Sequence, residues 1–452
     1  MAGIFKAYDI RGTYPDQLDE QTAEDVGRAF RTLLDTVEPG HGGEVVVSRD
    51  MRSHSVPLSE ALISGLRIAG LDVVDIGLAS TPMSYFAVGR LGAAGGVQVT
   101  ASHNPARYNG LKFSLREARP VSGDDGIPLI ERLVVSGELP TGTSAGSLRS
   151  AEIFDLYGDH LLGLLRRPAG ARRLRVAADA ANGMGTIYRP LLERAGIDLI
   201  PLYFELDGTF PHHEANPLKL ENLADLRAAV IEHGADLGVA FDGDADRAAF
   251  VDERGEPIGS DLVTALIGGE TLRQRPGGVV VYDVRSSRAV PEYLEERGGV
   301  PVRERVGHSF IKATMRQRDA VFGGELAGHY YFRENYFADC SLLAVFEVLS
   351  ILWAAGAPLS AVVAPLRRYA KSEEINFEVD DKEAAMADLE TRYAGGEIDR
   401  IDGIRIDFDD WWFNVRPSNT EPLLRLVLEA TTPELLAEKQ GELIALLGEP
   451  VS

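Results

Sequence analysis

Short apolar runs that end near an aspartate and a small polar turn, then pass into a stretch with helical spacing, recur three times along the chain. Gly43-Glu44-Val45-Val46-Val47 leads through Ser48-Arg49-Asp50 to the amphipathic stretch 59–70. The run 175–185, with Asp179, precedes 187–196, and the run 278–288, with Asp283, precedes 289–299. A buried strand followed by an amphipathic helix is the repeating unit of a mostly parallel α/β sheet. Three such units about a domain length apart predict three related mixed α/β domains. The pattern then changes. Residues 401–430 alternate in short runs separated by turn signals, and a helical tail follows at 433–448. That reads as a C-terminal α+β domain of antiparallel strands. Turn-rich patches at 139–150, 252–260 and 367–374 set the expected domains at 1–146, 147–251, 252–367 and 368–452. The most apolar stretch, 341–359, carries Glu347 in its middle and predicts a buried helix rather than a membrane span.

Charge narrows the partners. The 452 residues hold 69 acidic and 46 basic side chains, a formal charge of −23. Such a field repels nucleic acid and anionic membranes, and an anionic ligand would need a locally positive pocket. The single cysteine, Cys340, permits no intrachain disulfide, and the opening MAGIFKAYDIRG lacks the apolar core of a secretory leader. A cytoplasmic monomer acting on small molecules is the expectation.

Four turns carry chemistry. Thr100-Ala101-Ser102-His103-Asn104-Pro105 follows the apolar run 95–99. It reads either as a plain Ser/Asn turn or as a nucleophile exposed at a strand end; it is not a G-x-S-x-G elbow. Sequence adjacency does not place His103 on the Ser102 hydroxyl. Asp242-Gly243-Asp244-Ala245-Asp246-Arg247 sits between two strand-like runs. Alternate carboxylates on a tight turn can converge on one hard cation. An EF-hand is disfavoured although Glu253 falls at its twelfth position, because Arg247 stands where that loop needs glycine. A solvated acidic turn is the plain alternative. Gly323-Gly324-Glu325-Leu326-Ala327-Gly328-His329 offers a carboxylate for neighbouring hydroxyls and a histidine able to carry protons. Arg416-Pro417-Ser418-Asn419-Thr420-Glu421-Pro422 gathers a guanidinium, two hydroxyls and an amide, a donor-rich cradle for a dianion.

Together these four turns, with Tyr8-Asp9-Ile10-Arg11-Gly12 and Tyr108-Asn109-Gly110-Leu111-Lys112, resemble the active-site loops of the α-D-phosphohexomutases, in that family's order and over essentially the whole chain. The likeness is greatest to the bacterial phosphomannomutase/phosphoglucomutase group, since Asn419 stands where phosphoglucosamine mutases usually have glycine. The resemblance implies four domains around a central cleft. It implies a phosphoserine at Ser102 and Mg²⁺ on Asp242, Asp244, Asp246 and the Ser102 phosphate. Arg11, Lys112 and Arg247 would surround the transferring phosphoryl group. The non-reacting phosphate would lie on Arg416, Ser418, Asn419 and Thr420, and Glu325 would read sugar hydroxyls. His103, Lys112, His308 and His329 are left as the groups near the chemistry, and the proton carrier is not singled out. A hexose 1,6-bisphosphate would serve as turning intermediate and primer. Two positions depart from the pattern. Ala327 replaces a serine common in relatives, and Arg285 replaces a lysine with a planar fork. Phosphoglucosamine mutase, a Mg²⁺-dependent sugar phosphatase and a catalytically silent sugar-phosphate binder remain the alternatives.

Overall fold

The computed structural model describes every residue except 1, 2, 7, 41, 122–125, 419–422 and 452. Two compact units emerge, residues 1–259 with 327–362, and residues 260–326 with 363–452.

The first unit holds two mixed sheets. In one, Gly95–Val99, Val45–Arg49, Val73–Leu78 and Leu148–Ser150 run parallel, and Tyr108–Leu115 and Asp9–Thr13 add antiparallel at the Gly95–Val99 side. The inner parallel strands Gly95–Val99 and Val45–Arg49 are buried almost throughout, as in a sheet covered on both faces, whereas the edge strand Leu148–Ser150 is exposed. Helices Glu20–Val37 and Ser55–Ile68 pack into one core with them, through Phe30, Leu33, Leu62 and Leu66. These two helices cross so closely that a Cβ on Gly65 would lie 2.0 Å from the Glu24 carbonyl oxygen. The second sheet runs in the order Pro257–Ile258, Ala248–Asp252, Leu237–Phe241, Arg175–Asp179, Asp198–Leu202. Its last three strands are parallel, and the pair Leu237–Phe241 and Ala248–Asp252 forms the hairpin whose turn is 242–247. A small hairpin, Tyr330–Phe332 with Ala338–Asp339, belongs to the same unit.

The apolar stretch from Ser341 is the helix Ser341–Ala355, buried along most of its length. Its Glu347 is held by a two-pronged ion pair with Arg166, at 3.0 Å for Nη1 on Oε1. Among the described residues no single helix is long and apolar enough to cross a membrane.

In the second unit, Val279–Asp283 lies between Val300–Glu304 and Phe322–Gly324, all parallel. The C-terminal part is an antiparallel sheet in the order Glu397–Asp399, Ile404–Asp407, Trp411–Pro417, Leu424–Ala430, Ile375–Phe377, Pro450–Val451, with Ala370–Lys371 also on Leu424–Ala430. Its inner face packs Phe413, Val415, Leu426 and Leu428 with Leu389 and Leu443 of two helices. The three turn-rich patches each contain or adjoin a short strand: Leu148–Ser150, Pro257–Ile258 and Ala370–Lys371. Strands of two or three residues are too short to show alternation, so composition reads them as loop.

Candidate active site

The serine turn leaves the parallel strand Gly95–Val99 and returns as the antiparallel Tyr108–Leu115. Ser102 sits at φ 53°, a left-handed conformation uncommon for serine. Strain of this kind persists only where the surroundings over-determine it. Here the determinant is Arg52, wholly buried at the end of the neighbouring strand. Its Nη2 donates to the carbonyls of Ser102 at 2.9 Å and Asn104 at 2.6 Å. Its Nη1 donates to those of Pro105 at 2.9 Å and Tyr108 at 3.0 Å. Asp50 balances the charge from 3.3 Å, and the Phe210 ring covers the guanidinium at 4.9 Å. Four carbonyls of one turn are thus gathered by one side chain.

The aspartate turn meets the serine turn directly. A Cβ on Gly243 would lie 2.2 Å from the Ser102 carbonyl oxygen, so glycine is required for the two backbones to touch. Ser102 Oγ donates to Asp242 Oδ2 at 2.8 Å and lies 3.2 Å from His103 Nδ1. The histidine therefore does reach the hydroxyl, a contact that adjacency in sequence does not dictate. Burial, then the charges of Arg247 and Arg11, hold His103 well below the ordinary histidine pKa. Asp242 Oδ1 accepts from the Asp246 and Arg247 N–H groups at 3.0 and 3.1 Å, which fixes the turn.

Asp242, Asp244 and Asp246 are all buried, and one oxygen from each lies within 4.8 Å of the others. Asp244 Oδ2 accepts from Thr81 Oγ1 at 2.5 Å and from Lys112 Nζ at 2.6 Å; Lys112 also reaches Asp246 Oδ2 at 2.6 Å. Burial opposes the charge on Lys112, but Asp244 and Asp246 outweigh it and raise its pKa. Asp244 Oδ1 is buried with no hydrogen-bond partner among the described residues. Burial and the two neighbouring aspartates push Asp242 well above the usual carboxylate range. An all-oxygen set with one buried lone pair unused, under mutual repulsion, fits a hard divalent cation. Glu253 takes no part: its carboxylate binds the N–H and hydroxyl of Ser360, which removes the twelfth-position ligand of an EF-hand.

Cations complete this cluster. Arg11 donates from Nη1 to Asn104 Oδ1 and from Nε to Asp9, both at 2.7 Å. Arg247 Nε lies 3.9 Å from Asp242 and Asp246 and donates to His329 Nε2 at 3.2 Å. A backbone bridge between Arg247 and His329 brings the histidine there, 3.3 Å from Asp246. Ser102, His103, Arg11, Lys112, Arg247, His329 and the three aspartates therefore form one cluster in the first unit.

The second unit gathers the remaining residues. Gly307 N donates to Glu325 Oε1 at 2.9 Å, which ties the turn before His308 to the one after Phe322–Gly324. His308 opens the helix His308–Gln317. Asp283 accepts from Arg285 Nη2 at 2.7 Å and from Leu326 N at 2.8 Å. Arg285 and Arg416 both bond Glu374, at 3.3 and 3.0 Å. Ser418 N donates to the Leu423 carbonyl at 2.8 Å; Asn419 and Thr420 lie outside the described residues. Arg52, Thr81, Gly243 and Glu374 escape a reading of the sequence. Each acts through backbone or side chains remote in sequence, and Asp50-x-Arg52 at a strand end is the sole local hint.

Comparison with known proteins agrees with this architecture. Four family models match in order: phosphoglucomutase/phosphomannomutase alpha/beta/alpha domain I at 2–139, domain II at 155–255, domain III at 259–369, and the C-terminal domain at 374–446. Relatives include the phosphohexose mutases of Xanthomonas campestris pv. campestris, 40% identical over 98% of both chains. The phosphomannomutase of Salmonella typhimurium is 38% identical over 98% of this chain and 99% of its own. A crystal structure of a phosphoglucomutase/phosphomannomutase family protein from Burkholderia thailandensis superposes with a TM-score of 0.91, at 34% identity, covering 98% of this chain and 97% of that one. With four domain matches in order and full-length relatives, the chain belongs to the phosphoglucomutase/phosphomannomutase family, the α-D-phosphohexomutases.

Proposed function

We propose that the chain interconverts hexose 1-phosphate and hexose 6-phosphate, of mannose, glucose or both, through a phosphoserine at Ser102 and a hexose 1,6-bisphosphate. The observation that carries this reading is the Ser102 hydroxyl, held in a left-handed turn against Asp242 and rimmed by Arg11, Lys112 and Arg247. A binding protein has no use for a strained, positioned nucleophile.

In the first half-reaction, the bond between phosphorus and Ser102 Oγ breaks as one forms to the sugar's free hydroxyl. The hydroxyl proton passes to a base, and Oγ recovers a proton. In the second half, Oγ–H loses its proton and attacks the other phosphate of the turned bisphosphate; the bond from that phosphorus to the sugar oxygen breaks, the sugar oxygen takes up a proton, and phosphoserine is restored as the isomeric monophosphate leaves. Phosphoryl transfer needs placement and charge neutralisation above all. Arg52 fixes Oγ through the turn carbonyls, while Arg11, Lys112 and Arg247 neutralise the phosphoryl oxygens. Mg²⁺, held by Asp242, Asp244, Asp246 and the Ser102 phosphate, would add Lewis-acid polarisation of that phosphate. Lys112, His308 and His329 are the candidates for moving protons. Arg416, Ser418, Asn419 and Thr420, with Arg285, would hold the phosphate that does not react, and Glu325 the sugar hydroxyls.

The test is initial rates on mannose, glucose and glucosamine 1-phosphates, with Mg²⁺ and a trace of hexose 1,6-bisphosphate, following 6-phosphate product and free phosphate. Conversion of either of the first two without phosphate release is expected. Preference for the amino sugar would make the chain a phosphoglucosamine mutase, and phosphate release alone a phosphatase. Ser102→Ala should lose mutase activity by several orders of magnitude while staying folded, and peptide mass spectra should find the phosphate of the active form on Ser102.

A further inference from the structure

Glu374 is a partly buried acid that this reading leaves without a role. It precedes the strand Ile375–Phe377, inside a patch whose composition reads as linker. Its Oε2 accepts from Arg416 Nη2 at 3.0 Å and from Arg285 Nη1 at 3.3 Å; its Oε1 accepts from Arg425 Nη1 at 3.0 Å. Arg416 and Arg425 are direct partners across antiparallel strands, a placement that repels unless an anion is shared. Burial opposes ionisation of Glu374, but Arg285, Arg416 and Arg425 together hold it down to about 2, so it is an anion at every working pH. The forks are not saturated. Arg416 and Arg285 side chains are 3% and 8% exposed, and the Nε of each is buried without a hydrogen-bond acceptor among the described residues. A carboxylate offers two in-plane oxygens to a guanidinium, as a phosphate does.

We propose that Glu374 is an internal competitor for phosphate at the arginine cluster, present to limit how tightly a phosphate is held. The inference rests on the assignment of Arg416 to the non-reacting phosphate. A mutase must release one phosphate of its intermediate and accept the other in every turnover. A clamp that binds the intermediate too tightly lowers the ground state and slows that exchange. Glu374 keeps the three guanidiniums in place without ligand and repels the dianion that arrives, so the clamp stays preorganised and reversible.

The experiment titrates glucose 1,6-bisphosphate calorimetrically into full-length protein carrying Ser102→Ala, which blocks turnover, alone and combined with Arg416→Ala, Glu374→Gln or Glu374→Asp. Arg416→Ala should weaken binding at least tenfold. Glu374→Gln should tighten it by about tenfold, since a nearby like charge is removed. Glu374→Asp, which keeps the charge but withdraws it by a methylene, should tighten it by roughly threefold. With Ser102 intact, Glu374→Gln should lower kcat and KM together, which a merely structural glutamate would not do. Unchanged or weaker binding by Glu374→Gln, with Arg416→Ala weakened, overturns the competitor and leaves the clamp. Should Glu374→Gln not fold, unchanged or weaker binding by Glu374→Asp overturns it equally. No binding by the parent, or none lost in Arg416→Ala, overturns the phosphate assignment itself.

Discussion

Arg52 shows how a residue with no visible chemistry can control a reactive one. It sits 50 positions from Ser102 and touches only the backbone of the serine turn, yet it fixes the conformation of that backbone. Arg52→Met should cut kcat/KM by about 100-fold, the scale of a roughly 1 Å misplacement of reacting groups. It should also cost about 3–5 kcal/mol, because Asp50 is left buried without its counter-ion. Arg52→Lys should restore much of the stability but little of the rate, as one ammonium cannot span four carbonyls. A rate that follows stability in both variants would reduce Arg52 to packing. The contrast with the aspartates explains what was legible in the chain. Asp242, Asp244 and Asp246 repeat at alternate positions of one turn, so their convergence is a local pattern. Arg52 and Glu374 work on partners that only the fold brings near, and apart from Asp50 two residues before Arg52 no short-range signal marks either.

Whole strands and helices follow the same rule. The parallel strands Val45–Arg49, Arg175–Asp179 and Val279–Asp283 were readable because burial on both faces leaves an unbroken apolar run. The connection at 203–216 was not, because tethers rather than periodicity shape it. Tyr203 stacks on His212 at 4.0 Å, and His213 Nε2 lies 3.0 Å from the buried Asp179 at the strand end. The hydrogen bond to Asp179 raises the pKa of His213 against the opposing effect of burial. A raised histidine pKa gives stability that is full below the ordinary value of about 6.5 and fades as pH rises through the folded value. His213→Gln should therefore lower Tm most near pH 6 and least near pH 9. An equal loss at both pH values would show that the ion pair contributes nothing and that the ring acts by packing alone.

At the scale of the whole molecule, a charge of −23 stands against an anionic substrate. Added salt shortens the screening length from about 30 Å at 0.01 M to about 8 Å at 0.15 M, while buried arginines are screened far less. The value of kcat/KM should thus rise a few-fold over that range; a steady fall would mean that the local positive groups dominate the approach. The order of segments has a different consequence. The chain leaves the first unit after residue 259, returns for 327–362, and then completes the second unit with 363–452. A ribosome therefore delivers the opening part of the second unit well before its C-terminal sheet exists, and interposes a helix of the first unit, Ser341–Ala355, between them. Domains generally fold as units as they emerge. Residues 260–326 carry three strands that pair among themselves, Val279–Asp283, Val300–Glu304 and Phe322–Gly324, so that sheet can form as it emerges, while the bonds that Arg288 makes to Asp407 and Asp409 wait until the last part of the chain has been made.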